Sequence, residues 1–285
     1  VLLTVGLVMM FSASYAYAYY HFNNSYHFII KQAEFAVIGV LMMLLISHID
    51  YHILAKMHLP WILYGLSLAM LMLPPMQEGF DYKRWIAFGG FSFQPSEIAK
   101  FSIILLFSYL ISRNYRRMGT FKYGVLPYLC LAGIVCMLVV VEPHLSATLL
   151  IFSIALVLMI VGGMKLRWLG IGAGIIGVGG AAAILTGVVG YGSDRIKYWL
   201  DPWASASDKG YQTIQSLLAI GSGGFWGRGL GQSRQKFLWV PEPHNDFIFS
   251  VVCEELGFIG ASAILLLFAM LIVRGYWISL QSTDR

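Results

Sequence analysis

Asp246 stands where a polar stretch, Pro241-Glu242-Pro243-His244-Asn245, gives way to the apolar run that opens Phe247-Ile248-Phe249. A carboxylate at the edge of a membrane is costly to desolvate, so its position needs a reason. One reason is helix capping, because Asp is a favoured N-cap residue and suits the positive end of the helix dipole. The other is proton transfer: an ionised carboxylate at the membrane surface can take the proton of a hydroxyl on a substrate lying there. Position alone leaves both open. The preceding stretch, about 191–246, carries Arg195, Lys197, Lys209, Arg228, Arg234 and Lys236. Arg forks onto phosphate oxygens and Lys acts as a mobile point charge, which suits an anionic ligand such as a pyrophosphate. A solvated loop surface, or attraction to anionic lipid, would use the same residue types.

Other groups are read more conservatively. Glu97 and Lys100 are three apart in an apolar run and share a helix face, where pairing would make both charges tolerable in lipid. Glu254 and Glu255 lie about 80° and about 180° around the helix from Asp246, at about 100° per residue. Glu254 alone could share its face, and Glu255 is expected to pair with another helix. His244 reads as a loop hydrogen-bonder rather than a second base. Glycines at 221, 223, 224, 227, 229 and 231 allow sharp turns or close backbone approach. The phosphate-loop and strand-linked GxGxxG patterns are absent, so no nucleotide site is inferred. Cys130, Cys136 and Cys253 fall inside apolar runs without ligand spacing, which argues against a zinc site or a disulfide framework.

The elements that must position these groups are membrane helices. The 285 residues are 58% hydrophobic and 12% charged, where a soluble domain is about a quarter charged. A spanning helix takes about 20 mostly apolar residues. Such runs are read at 1–20, 32–48, 60–75, 95–112, 123–141, 146–163, 168–190 and 247–273. The fold class is therefore all-α, a polytopic transmembrane bundle with about eight spans and a large extracytoplasmic loop at 191–246. No barrel-type alternation is visible. Residues 211–220 read as a short amphipathic helix on the membrane surface. The Gly/Ala-rich stretch 170–183 suits close helix packing. The first run has no basic leader or cleavage site, so it is read as a true helix, and both ends of the chain look cut.

If the first helix runs outward, the inner loops hold Lys56, Arg113, Arg116, Arg117, Lys122, Lys165, Arg167, Arg274 and Arg285, against Lys31, Lys83 and Arg84 in the short outer loops. The positive-inside rule favours that orientation. It places Asp246 and the long basic loop outside, and the charges mark a membrane partner rather than a nucleic acid.

Several separate segments share one resemblance. Gln94-Pro95-Ser96-Glu97-Ile98-Ala99-Lys100, with Arg84-Trp85-Ile86 upstream, resembles the QPSE-x-x-K signature of the SEDS family (shape, elongation, division and sporulation). Asp194-Arg195 with Trp199, Asp201 and Pro202 resembles the start of that family's outer loop. Gly227-Arg228-Gly229-Leu230-Gly231-Gln232-Ser233 with Lys236 resembles its middle. Pro241 to Phe249 and Glu254-Glu255-Leu256-Gly257 resemble its end, in a form closer to the FtsW and SpoVE branch than to RodA. The family's spans number roughly ten against the eight read here, so the chain is taken as a single integral membrane domain, 1–285, lacking the last two helices. Glu142-Pro143-His144 departs from the Gln-Pro-Asp common in the family.

The resemblance implies a peptidoglycan glycosyltransferase of the bacterial cytoplasmic membrane that polymerises lipid II on the outer face, for division, cell shape or sporulation. It makes Asp246 the catalytic base. It implies a substrate-binding set of Lys83, Arg84, Glu97, Lys100, Arg195, Ser233, Arg234, Lys236 and His244, with Arg195, Arg234 and Lys236, then Lys83 and Arg84, on the leaving pyrophosphate and the Glu97–Lys100 pair shaping the cavity. A divalent cation, Mg or Mn, would share that charge, although no ligand cluster specifies one. A class B penicillin-binding protein and other division or sporulation proteins are the implied partners. Three alternatives use overlapping features: a lipid II flippase, an outer-face ligase of lipid-linked glycans, and a division scaffold without activity.

Overall fold

The computed structural model describes residues 1–50, 52–53, 58–73, 85–88, 91–142, 144–172, 199–207, 210–237, 239 and 245–282. Lys83, Arg84, Arg195 and His244, and most of the run expected at 168–190, lie outside these residues. The helices are α1 (Leu2–Phe22), α2 (His27–Ser47), α3 (Leu59–Leu71), α4 (Pro95–Asn114), α5 (Leu126–Val141), α6 (Leu145–Val161), α7 (Tyr211–Gly223) and α8 (Ile248–Gln281). A short antiparallel hairpin, β1 (Ile86–Phe88) and β2 (Phe91–Phe93), pairs Ile86 with Phe93 just before α4. Among the described residues, five helical segments are long and apolar enough to cross a membrane, at Leu2–Phe22, His27–Ser47, Pro95–Arg117, Phe121–Val141 and Ile248–Gln281. The shorter α3 and α6 are also apolar. No residue of α2 is buried within the protein. The protein is a multi-pass membrane protein.

The chain divides into two compact units, one made of Val1–Ile49 with Ala183–Arg285 and the other of Asp50–Ala182. In the second unit, α4 buries Ala99, Ser102, Ile103, Leu106 and Phe107, the stripe expected of a 3.6-residue repeat. On α5 the buried face is Tyr128, Ala132, Val135 and Val139. On α6 it is Ala147, Ile151, Ala155 and Met159, one residue per turn. Alanines on all three stripes let the backbones approach closely where lipid offers no hydrophobic drive between helices. Polar bridges add specificity: Ser67 of α3 meets Ser102 of α4 at 3.0 Å, and the Tyr64 hydroxyl donates to the Leu131 carbonyl at 2.9 Å. Gln94, at the entry to α4, reaches the His144 ring at the entry to α6, 2.9 Å away. The departure from Gln-Pro-Asp thus places an imidazole against the QPSE segment.

The first unit holds α1, α2, α7 and α8. The amphipathic stretch forms α7, and its buried residues are Ile214, Ala219 and Gly223. It packs on α8, where the Ser216 and Ser250 hydroxyls lie 2.8 Å apart. The continuous span expected at 247–273 is interrupted: Gly257 has φ 67° and ψ −169°, so α8 is two helical pieces.

Phe107 is fully buried and meets the Tyr128 ring edge-on at 5.1 Å. Phe107→Ala should destabilise the protein by about 3–5 kcal/mol, read as a lower thermal unfolding midpoint in detergent. Phe101→Ala, on the outward face of the same helix, should leave the midpoint near that of the wild type.

Candidate functional site

The break at Gly257 removes two hydrogen bonds. In an unbroken helix the amides of Phe258 and Ile259 would donate to the carbonyls of Glu254 and Glu255. Inside a membrane no water replaces such bonds, so protein must. The glycine-rich segment does so. The Gly224 carbonyl accepts from Phe258 N–H at 2.9 Å, and the Phe225 carbonyl accepts from Ile259 N–H at 3.2 Å. In return, Arg228 N–H donates to the Glu254 carbonyl at 3.0 Å, and Gly229 N–H to the Glu255 carbonyl at 2.9 Å. The approach is backbone on backbone. Gly227 has φ 76°, and a Cβ there would strike the Glu255 carbonyl, while one on Gly257 would strike the Gly227 nitrogen.

The two glutamate side chains then fix the segment that follows. Both are buried. The Glu254 carboxylate accepts from the Ser233 hydroxyl at 2.5 Å and from the amides of Arg234 at 3.0 Å and Gln235 at 3.3 Å. Arg228 Nε stands 3.7 Å from it. The Glu255 carboxylate receives the Lys236 ammonium at 2.7 Å, the Ser12 hydroxyl at 2.7 Å and the Ser233 amide at 3.3 Å. Ser12 belongs to α1, so Glu255 does join a second helix. Lys236 is 0% exposed; its Nζ also lies 3.2 Å from Ser12 Oγ and 4.8 Å from the centre of the Tyr15 ring. Every charge in this cluster meets an opposite charge or a donor, which buried charge requires.

This network clamps the first turns of α8, where Ser250 to Glu255 are all buried. Asp246 projects from the end of that clamped piece. It precedes the cap residue, Phe247, and α8 has no side-chain cap hydrogen bond. Asp246 is exposed. Capping is therefore not its role in this structure, and the residue is exposed at the end of the clamped piece.

The expected site residues fall into distinct places. Ser233 and Lys236 are inside the clamp, with their polar groups committed to Glu254 and Glu255. Arg234 lies between them in sequence but is exposed, and its guanidinium pairs with no carboxylate among the described residues. Glu97 and Lys100 lie in the second unit, paired at 2.7 Å along α4, with the Lys100 side chain 20% and the Glu97 side chain 60% exposed. Glu254, Glu255 and Ser12 were not among the expected site residues. Adjacent carboxylates in an apolar helix were the available signal, since each must find compensation. Among the described residues, no group of three or more His, Cys, Asp and Glu is placed to hold a metal ion.

Comparison with known proteins places the whole chain. A family model described as Cell cycle protein, covering FtsW, RodA and SpoVE, matches residues 1–285. The chain is 35% identical over 286 residues to the probable peptidoglycan glycosyltransferase FtsW of Geobacter sp. (strain M18), covering 100% of this chain and 77% of that protein. It is 36% identical over 285 residues to stage V sporulation protein E of Bacillus subtilis (strain 168), covering 99% and 77%. Among solved structures, a chain of a peptidoglycan synthase complex that coordinates polymerization and crosslinking superposes with a TM-score of 0.73 at 22% identity, covering 99% of this chain and 77% of that one. The rod shape determining protein RodA of Thermus thermophilus gives 0.64 at 22%, covering 99% and 73%.

Lys236→Met leaves Glu255 buried without its cation and should cost about 3–5 kcal/mol. Adding Glu255→Gln should restore most of that loss, because the amide keeps Ser12 as a partner without a charge. Thermal unfolding of the wild type, both single variants and the double variant measures the coupling.

Proposed function

The chain belongs to the FtsW, RodA and SpoVE family of cell cycle proteins, and from that premise we propose that it is a peptidoglycan glycosyltransferase polymerising lipid II at the outer surface of the bacterial cytoplasmic membrane. The observation that carries the chemistry is Asp246: an exposed carboxylate, free of any capping bond, at the end of a helix piece clamped on several sides. A general base needs this combination of access and fixed position.

In this reading the Asp246 carboxylate takes the proton of the lipid II GlcNAc 4-hydroxyl. That oxygen bonds to the anomeric carbon of the lipid-linked glycan donor. The bond from that carbon to the pyrophosphate oxygen breaks, the pyrophosphate keeps the electron pair, and the configuration inverts. Charge builds on the leaving group, so positioned cations there lower the barrier. Arg234 is the described residue with the exposure to serve, and Arg195, Lys83 and Arg84 are proposed beside it by charge and resemblance. Ser233 and Lys236 act indirectly, by holding the loop that presents Arg234. His244 is kept as a loop hydrogen-bonder, and the Glu97–Lys100 pair as a shaper of the substrate cavity. A divalent cation, Mg or Mn, would share the charge on the leaving pyrophosphate, using the phosphate oxygens as ligands, and no step is routed through it. A class B penicillin-binding protein is the proposed partner that crosslinks the strands, alongside other division or sporulation proteins.

Asp246→Asn should lower lipid II polymerisation by about 10²- to 10⁴-fold while membrane insertion and lipid II binding persist. Gel analysis of labelled glycan strands, made by the full-length protein with its partner, measures this. Undiminished strand synthesis by the amide variant would refute the base. Transfer of labelled lipid II across a bilayer with no polymer formed would favour the flippase.

A further inference from the structure

One end of the second unit carries features the proposed reaction does not use. The turn Tyr115–Arg117, the wide turn Phe121–Val125 and the segment after α6 meet there. The Phe121 and Trp168 rings lie 5.0 Å apart, and the Lys165 side chain passes over Gly119. Arg117 and Lys122 sit over the Tyr123 ring at 5.5 and 5.6 Å, and Arg167 over the Trp168 ring at 4.8 Å. No Asp or Glu occurs in 98–141 or 145–172, and none of these cations pairs with a carboxylate among the described residues. Trp168 also lines an apolar pocket of about 150 Å³, together with Val125 of the wide turn, Leu129 of α5, and Phe152, Leu156 and Met159 of α6. The Trp168 indole Nε1 is buried and has no hydrogen-bond partner among the described residues.

A topology signal needs the charges alone. It explains neither cations stacked on aromatic rings, one of which lines an apolar pocket, nor a buried N–H donor left unused, which is costly. An apolar pocket of this size favours an apolar occupant over water. A cationic rim, a single donor and an apolar floor together match an anionic amphiphile. We propose that this end of the second unit binds one anionic phospholipid. Its acyl chain enters the pocket between α5 and α6, its phosphate lies among Arg117, Lys122, Lys165 and Arg167, and an ester or phosphate oxygen accepts from Trp168. A zwitterionic lipid fits the pocket but carries an ammonium into the cationic rim. The site is independent of the polymerisation reading, because it shares no residue with it.

The test uses the full-length protein in nanodiscs of equal phosphatidylglycerol and phosphatidylcholine, released for native mass spectrometry. The wild type should retain a phosphatidylglycerol in preference to phosphatidylcholine. A Lys122→Gln/Arg167→Gln variant should lose that preference by roughly 25-fold, at about fivefold per cation near an anionic surface. Leu156→Trp, which fills the pocket, should lower retention without touching charge. A second readout does not depend on the variants folding: brominated phosphatidylglycerol should quench wild-type tryptophan fluorescence more than brominated phosphatidylcholine. Equal retention and equal quenching by the two lipids, or full preference in the charge-deleted variant, would overturn the proposal.

Discussion

A helix broken inside a membrane must have its freed hydrogen-bonding groups satisfied by protein, and that constraint organises the first unit. Gly257 interrupts α8, and the glycine-rich segment from Gly224 to Gly229 supplies two acceptors and two donors to the groups that the break exposes. The exchange demands contact at backbone distance, so side chains are excluded at Gly227 and Gly257. The loop is therefore part of the bundle's hydrogen-bond inventory.

The same break explains why two adjacent glutamates can lie in an apolar helix. Their carbonyls hold the glycine segment, and their carboxylates hold the next few residues and α1. Glu254 is compensated mainly by backbone amides and a hydroxyl, and Glu255 by a buried ammonium and Ser12. Backbone donors cannot move away as a long side chain can, so the clamp is rigid where Glu254 holds it. Deleting one member leaves an uncompensated charge, whereas deleting a matched pair leaves a mostly satisfied site. Asp246 stands at the end of the helix piece that this clamp holds.

Much of this was legible in the sequence. The apolar runs at 1–20, 60–75, 95–112, 123–141 and 146–163 became helices close to their expected bounds, with α4, α5 and α6 showing regular buried stripes, while most of the run at 168–190 lies outside the described residues. Asp246 was found at a helix entrance because a polar stretch meets an apolar one there. What sequence could not separate was the use of each cation. Lys236 and Arg234 are two residues apart in a basic loop and look alike in composition, yet one is fully buried against Glu255 and the other exposed. Burial is decided by the loop's docking on α8, a tertiary event with no local periodicity. Gly257 was hidden for a related reason: one glycine inside an apolar run is compatible with a continuous membrane helix, and only a positive φ marks the break. The capping role for Asp246 was excluded by helix geometry, since α8 begins at Ile248 with Phe247 as its cap.

The central claim is that Asp246 acts as a base and is not a structural carboxylate. Its exposure means that a small external acid anion can reach the space left by its removal. The direct measurement is lipid II polymerisation by an Asp246→Gly variant of the full-length protein, with its partner, over a formate titration. The account predicts strand synthesis that returns in a saturable way with formate and leaves the wild-type rate unchanged. A folded, lipid II-binding variant that stays inactive at every formate concentration would contradict it.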